Sequence, residues 1–326
     1  MNYENIAKDL IRALRGERSQ TAFSRRLGFR SNVIYAWESG RRFPTAAMTF
    51  WAAKRAKVNI NEAMQAFFRA PPDWLVTSDL TDFKGIVRLL DELRAGAKII
   101  DLSERSGISR FALTRWYKGQ TQPRLPDFLR LVETSSLRLL DFLGALTDPS
   151  TLPSVAAQWK KLEASRQVAY RVPWSQAVLR VLELQSYKQL KRHESGFIAR
   201  TIGISLEEEM RCLDALHNTG QIRYEKEHWV IDRVLTIDTR RDAQAGKALK
   251  QWWSEVGLQR LSDGSTGQFS YNLFTVSYKD WNRIQKLHAN YYQEMRRIIA
   301  SSEASQIIVL ANLQLIPFGD PRNQDL

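Results

Sequence analysis

The sequence predicts a mainly α-helical chain of four consecutive units, and three observations carry that expectation. Apolar residues recur at helical spacing through most of its length. A gapless internal repeat with an offset of 79 residues spans the first half. Alternating, strand-like patterns are confined to the second half. Expected boundaries are 1–72 and 73–150 for two helical units of one kind, 151–240 for a helices-plus-hairpin unit, and 241–326 for a small α+β module.

The first helix is predicted over Asn2 to Leu14, where Ile6, Leu10, Ile11 and Leu14 share a face. Ser19 is a plausible N-cap, and Phe23 and Leu27 sit at an i,i+4 spacing on a short helix that Gly28 ends in a sharp turn. A second short helix follows, with Val33, Ile34 and Trp37 as its apolar stripe and Arg30, Ser31, Asn32 and Tyr35 on or near the other face. Gly40 fits a left-handed position after its end, and Pro44 cannot continue it. Met48, Phe50, Trp51 and Ala52 begin another helix, Ile60 to Phe68 gives a fifth, and Pro71 and Pro72 close the unit.

Sliding the chain by 79 residues aligns Phe23–Pro44 with Leu102–Pro123, and six of these 22 positions are identical: Ser24/Ser103, Arg26/Arg105, Gly28/Gly107, Trp37/Trp116, Gly40/Gly119 and Pro44/Pro123. Helical stretches at Phe83–Leu93 and Pro126–Leu146 complete the second copy. Trp37 and Trp116, spaced from Ile34 and Leu113, are expected in the core rather than stacked on bases.

Leu27-Gly28, apolar Ile34 and the run Trp37-Glu38-Ser39-Gly40-Arg41-Arg42-Phe43-Pro44 resemble the Cro/CI-type (XRE, lambda-repressor-like) helix-turn-helix family. The resemblance covers about 65 residues and implies that the second helix of the pair enters the DNA major groove. Carried over by position, it implies base or groove contacts from Arg30, Ser31, Asn32 and Tyr35, and phosphate contacts from Gln20, Arg41 and Arg42. In the repeat, Gln20, Arg41 and Arg42 are replaced by Ile99, Gln120 and Thr121, which removes three phosphate contacts. Arg110, Arg115, Lys118 and Arg124 could still reach DNA, with Ser109 and Arg110 leading the reading helix, so the second copy is left open between DNA binding and a packing or dimerisation role.

In the third unit Val178, Leu179, Leu182 and Leu184 line one helix, Phe197–Ile202 forms a short one, and Ser205 caps another through Leu206, Met210, Leu213 and Leu216. Gly220–Tyr224, a turn at Glu225–Glu227 and His228–Ile231 then read as a β-hairpin, a winged-helix-like order. Glu207, Glu208 and Glu209 open the helix that would face a groove, where they are expected as a solvated cluster favoured by the helix N-terminus, and their charge argues for a structural, partner or dimer role over DNA reading. The last unit is expected as a helix from Ala243 to Trp253, a turn-rich loop at Leu261–Gly267, a strand at Phe269–Ser277, a long helix capped by Ser277 and Asp280, and a closing strand at Ile307–Phe318. Trp252 and Trp253 are adjacent, so one can be buried while the other faces a partner. The third and fourth units together resemble the C-terminal halves of a poorly characterised group of bacterial regulators whose ends carry a similar apolar run before Pro.

Composition agrees with a nucleic-acid partner without demanding one. The net charge is +13, and residues 1–70 hold 13 Lys/Arg against 5 Asp/Glu, so more than half the excess lies on the first copy. Residues 71–150 are balanced at 11 against 11. The single Cys212 excludes an intramolecular disulfide and a cysteine-based zinc cluster, and is expected as a buried small hydrophobe. His193, His217, His228 and His288 have no metal-ligand spacing. Asp263–Gly267 lacks the Gly-Lys-Ser/Thr of a phosphate loop, and no nucleophile motif is visible. The expectation is therefore a non-enzymatic, sequence-specific double-stranded-DNA-binding transcriptional regulator without a cofactor or metal. It is expected to be a homodimer in the bacterial cytoplasm, nucleoid-associated and away from the membrane, with a protein or small-molecule effector of the C-terminal half left open. The competing expectation is a scaffold that keeps the helical folds without DNA readout.

Overall fold

In the computed structural model the chain divides into two compact units, Met1–Glu163 and Ala164–Leu326. The structure describes residues 1–68, 72, 74–94, 96–232, 242–302 and 304–319. Pro71, the expected end of the third unit near Asp238 and the expected boundary at 240–241 lie outside the described residues. The described chain is mainly helical.

The first unit holds both copies of the repeat. The first copy runs α1 (Tyr3–Arg15), α2 (Gln20–Arg26), α3 (Val33–Glu38), α4 (Ala46–Arg55) and α5 (Ile60–Phe67). After α6 (Trp74–Thr77), the second copy runs α7 (Phe83–Arg94), α8 (Ile99–Ser106), α9 (Arg110–Tyr117), α10 (Leu125–Ser136) and α11 (Leu139–Leu146). The starts of α2, α4 and α5 and those of α8, α10 and α11 differ by the 79 residues of the sequence repeat. Asn2, Ser19, Asn32, Thr45 and Asn59 each cap a helix of the first copy by accepting a backbone N–H. The stretch expected as helical over Pro126–Leu146 is two helices, because Leu137 takes a left-handed backbone with φ 54°.

The two copies meet face to face within this unit. Thr45 pairs with Arg124 in an antiparallel bridge. On either side of it the Ala46 N–H donates to the Pro123 carbonyl at 3.1 Å and the Leu125 N–H to the Pro44 carbonyl at 2.9 Å. Below this seam Phe50, Phe67, Phe128 and Phe142, from α4, α5, α10 and α11, pack edge to face with ring centroids 5.6–6.2 Å apart. All four are buried. Burying one phenylalanine side chain contributes about 1.5–3 kcal/mol, so this cluster is a main source of cohesion between the copies. Arg138 completes the junction by donating to the Phe67 carbonyl at 2.7 Å with its guanidinium 4.7 Å above the Phe67 ring.

The boundary between the units falls inside α12 (Ala156–Arg171). The second unit continues with α13 (Trp174–Glu183), α14 (Gln185–Lys188), α15 (Phe197–Ile202), α16 (Leu206–Asn218), β1 (Ile222–Glu225), β2 (His228–Ile231), α17 (Ala243–Ser262) and α18 (Tyr278–Ser301). β1 and β2 pair antiparallel from Ile222 opposite Ile231 to Glu225 opposite His228. Their two-residue turn, Lys226-Glu227, has positive φ at both positions, the handedness that matches strand twist. Val178, Leu182, Tyr187, Ile198, Cys212, Leu213 and Ile222 form the core beneath the hairpin.

The C-terminal module departs from expectation. α17 runs to Ser262 instead of stopping near Trp253, and β1 with β2 is the one sheet among the described residues. Ser277 caps α18 as expected, its Oγ accepting the Asp280 N–H at 3.1 Å. The segments expected as strands, Phe269–Ser277 and Ile307–Phe318, carry no ladder. Alternation describes the side chains of a strand but supplies no partner backbone, and here the contacts are of another kind: Asn312 and Gln314 donate to Ser254 Oγ at 3.2 and 3.1 Å. Trp252 and Trp253 are both half-buried, with their rings 5.1 and 5.7 Å from the Trp174 ring. Among the described residues no helix is long and apolar enough to cross a membrane.

Candidate nucleic-acid interface

The α2–α3 pair is set by a small number of directional contacts. Gly28, at φ 91°, turns the chain after α2. Ser24, buried on α2, donates to the Gln20 carbonyl at 2.8 Å and accepts the Ile34 N–H at 3.2 Å, which ties the start of α3 to α2. Its counterpart Ser103 makes a different bond, donating to the Ile108 carbonyl at 2.7 Å. Trp37 is buried on α3 and takes the edge of Phe29 at 6.0 Å.

Beneath α3 lies a buried carboxylate. Glu38 is 5% exposed, and it accepts Arg15 Nε at 2.6 Å and the Gln20 side-chain amide at 2.7 Å. Arg12 donates to the Glu38 carbonyl at 3.2 Å, so three side chains from α1 and α2 fix the end of α3. The Gln20 side chain, expected on phosphate, thus has one of its amide hydrogens engaged inside the unit.

The remaining first-copy residues are exposed. Arg30 and Ser31 lie in the turn ahead of α3, not on its outer face, and Asn32 is its N-cap, accepting the Tyr35 N–H at 3.2 Å. Tyr35 is 46% exposed, with the Arg41 guanidinium 5.1 Å from its ring centroid. Arg42 is exposed at its side chain while its N–H donates to the Ala36 carbonyl at 3.2 Å. Asn32, Tyr35 and Arg41 are therefore linked directly and Arg30 and Ser31 adjoin them in the chain, whereas the Gln20 side chain is tied to Glu38 at the far end of α3.

In the second copy Ser109 caps α9 by accepting the Ala112 N–H at 3.2 Å. Arg110 and Lys118 are exposed at the two ends of α9, and the Arg115 guanidinium sits 5.6 Å from the Phe111 ring. Phe111 itself is 72% exposed. Sequence reasoning passed over it, although the repeat aligns it with Asn32. The replacement of a capping amide by an exposed ring accompanies an earlier helix start, since α9 begins at Arg110 where the α3 register would place residue 112.

The α15–α16 pair of the second unit differs in its chemistry. The acidic run read as three outward carboxylates is split. Glu207 is exposed, Glu208 bridges Arg211 at 3.2 Å, and Glu209 is 1% exposed. Glu209 accepts the Gly196 N–H at 3.0 Å and the Ala199 N–H at 2.6 Å, neutralising the free amides at the start of α15. Nearby, the Tyr187 hydroxyl accepts the Trp229 N–H at 3.1 Å and lies 3.2 Å from His193 Nδ1. Burial lowers the His193 pKa, and burial pushes the Tyr187 hydroxyl and the Cys212 thiol up to about 12. An open cleft of about 600 Å³ lies beside α16, lined in part by Arg171, Trp174, Glu208, Arg211 and Trp252. Among the described residues, no group of three or more His, Cys, Asp or Glu comes together in a way that could hold a metal ion.

Residues 154–318 match the model of a family described as a domain of unknown function (DUF4423). The chain belongs to this family. No curated protein matches the chain. No solved structure matches it. The DUF4423 match takes in the α15–α16 pair, the hairpin and both C-terminal segments expected as strands, whereas α2–α3 and α8–α9 precede it.

Proposed function

We propose that the protein is a sequence-specific double-stranded-DNA-binding transcriptional regulator that places the start of α3 in the major groove. The observation that carries this reading is the linked, exposed set Asn32, Tyr35 and Arg41, flanked by Arg30, Ser31 and Arg42, on a scaffold fixed by Glu38. Arginine and asparagine at the start of such a helix have the donors and acceptors to read guanine and adenine edges, and the flanking arginines suit phosphate. The net +8 of residues 1–70 supplies the electrostatic attraction. The Cro/CI-type resemblance of the same stretch agrees with it. No cofactor or metal enters this reading, and the DUF4423 region supplies pairing or control, its effector being a protein or small molecule.

Binding of the full chain to genomic duplex across a salt series tests the proposal. Steep loss of affinity with salt, together with enrichment of particular fragments, supports it; weak, salt-insensitive binding favours the scaffold reading instead. That second reading has its own support in the exposed Phe111 on α9 and the exposed Leu206 and Met210 on α16, apolar side chains suited to a protein surface.

A further inference from the structure

The seam between the two copies has a symmetry that bears on the DNA target. Thr45 and Arg124 are the same position of the repeat, and they pair with each other. The flanking hydrogen bonds are reciprocal: residue 46 donates to residue 123 and residue 125 to residue 44, and each donor is the repeat counterpart of the other, as is each acceptor. An antiparallel pair of equivalent positions has a local twofold axis through its centre. The same segments lead directly into α4 and α10, so the axis relates one copy to the other. Their packing follows it: α4 packs on α10, α5 on α11, and α1 on α10 as α7 packs on α4. This is the isologous arrangement of a C2 dimer, built inside one chain.

Resting on the DNA reading above, we propose that a single chain engages two half-sites in inverted orientation, with α3 reading one and α9 the other, and that the two half-sites differ in sequence. A twofold relation between reading helices presents them to the two strands with opposite polarity, which gives an inverted site and not a direct repeat. The half-sites differ because the chemistry differs. Where α3 has the amide of Asn32 and the ring of Tyr35, α9 has the exposed ring of Phe111 and the hydroxyl of Thr114. A phenyl ring at that position favours contact with a thymine methyl, whereas asparagine favours adenine.

The test uses the full chain and its chemistry of labelling. Cys212 is buried, and its thiol is pushed up to about 12, so an introduced surface cysteine is the reactive one. Thr21→Cys and Ile100→Cys occupy equivalent, exposed positions of α2 and α8 that are outside the proposed contact set. Each variant carries a tethered iron chelate that cuts nearby DNA, on a duplex selected from genomic fragments. The expected result is two separate cutting clusters, one per variant, related by inversion through the centre of the site, at one chain per duplex by sedimentation. Cutting at overlapping positions, cutting in direct-repeat orientation, absence of cutting from position 100 alone, or a requirement for two chains overturns the proposal while leaving the DNA reading intact. Absence of salt-dependent binding by the unlabelled chain overturns the DNA reading and this proposal with it.

Discussion

The Glu38 carboxylate receives the Gln20 amide at 2.7 Å and the Arg15 guanidinium at 2.6 Å, so the last residue of α3 is tied to both helices that precede it. Removing one partner of a buried, hydrogen-bonded charge leaves the others unpaired, which costs more than the pair itself contributes. Glu38→Ala is expected to destabilise the first unit by about 3–5 kcal/mol. Urea unfolding followed by tryptophan fluorescence measures it; a loss within experimental error of wild type removes the anchoring role.

Glu209 makes the corresponding test in the second unit. Its two oxygens accept the N–H groups of Gly196 and Ala199, and a charge-assisted bond contributes about 1.5–3 kcal/mol. Glu209→Ala is expected to destabilise the second unit by several kcal/mol, while Glu207→Ala, at an exposed position, changes stability by less than about 0.5 kcal/mol. Equal effects of the two substitutions would contradict the buried capping role.

How much of this was legible in the sequence depends on whether the signal was local. Ser19, Ser205 and Ser277 identified helix starts because a cap acts within three residues. The repeat at 79 located the equivalent helices, since equivalent sequences adopt equivalent local structure. Glu209 was misread as solvated because its partners belong to α15, and nothing within a few residues of it announces them. Phe269–Ser277, a local alternation, and Ile307–Phe318, a local apolar run, show the converse failure, since no neighbouring strand completes either. The meeting of Thr45 with Arg124 was equally hidden: a repeat reports likeness, and contact between its copies is decided by which apolar faces remain after each bundle closes.

At the candidate interface, Arg30→Ala is expected to weaken the selected site by about 1–3 kcal/mol and to relax preference there, because guanine readout is lost. Arg42→Ala should weaken all duplexes alike and flatten the salt slope by about one. Quantitative gel shifts on selected and random duplex separate the two, and equal loss on both for Arg30→Ala rejects its base-reading role. Asn32→Ala is a less clean probe, since Asn32 also caps α3 and its loss costs about 1 kcal/mol of stability.

The second unit should respond to pH at both ends of the scale. The Tyr187 and Cys212 pKa values rise to about 12 in the fold, above their ordinary 10.0 and 9.0. A raised acid pKa gives stability that is complete below the unfolded value and lost as pH climbs through the folded one, so a loss between about pH 9 and 12 is expected. His193 is lowered from 6.5 by burial, so its contribution is present above that value and declines as pH falls below it. Thermal melts from pH 5 to 11 check both limbs, and His193→Gln should flatten the acidic limb alone.

The Thr45–Arg124 pairing also changes what a substitution means in this protein. In a homodimer every change appears twice, and a half that weakens takes its twin with it. Here the halves are joined covalently, so Gln120 and Thr121 can stand where Arg41 and Arg42 stand in the other half without touching that half's chemistry. Joining also fixes the partner at every dilution, which frees assembly of the pair from mass action.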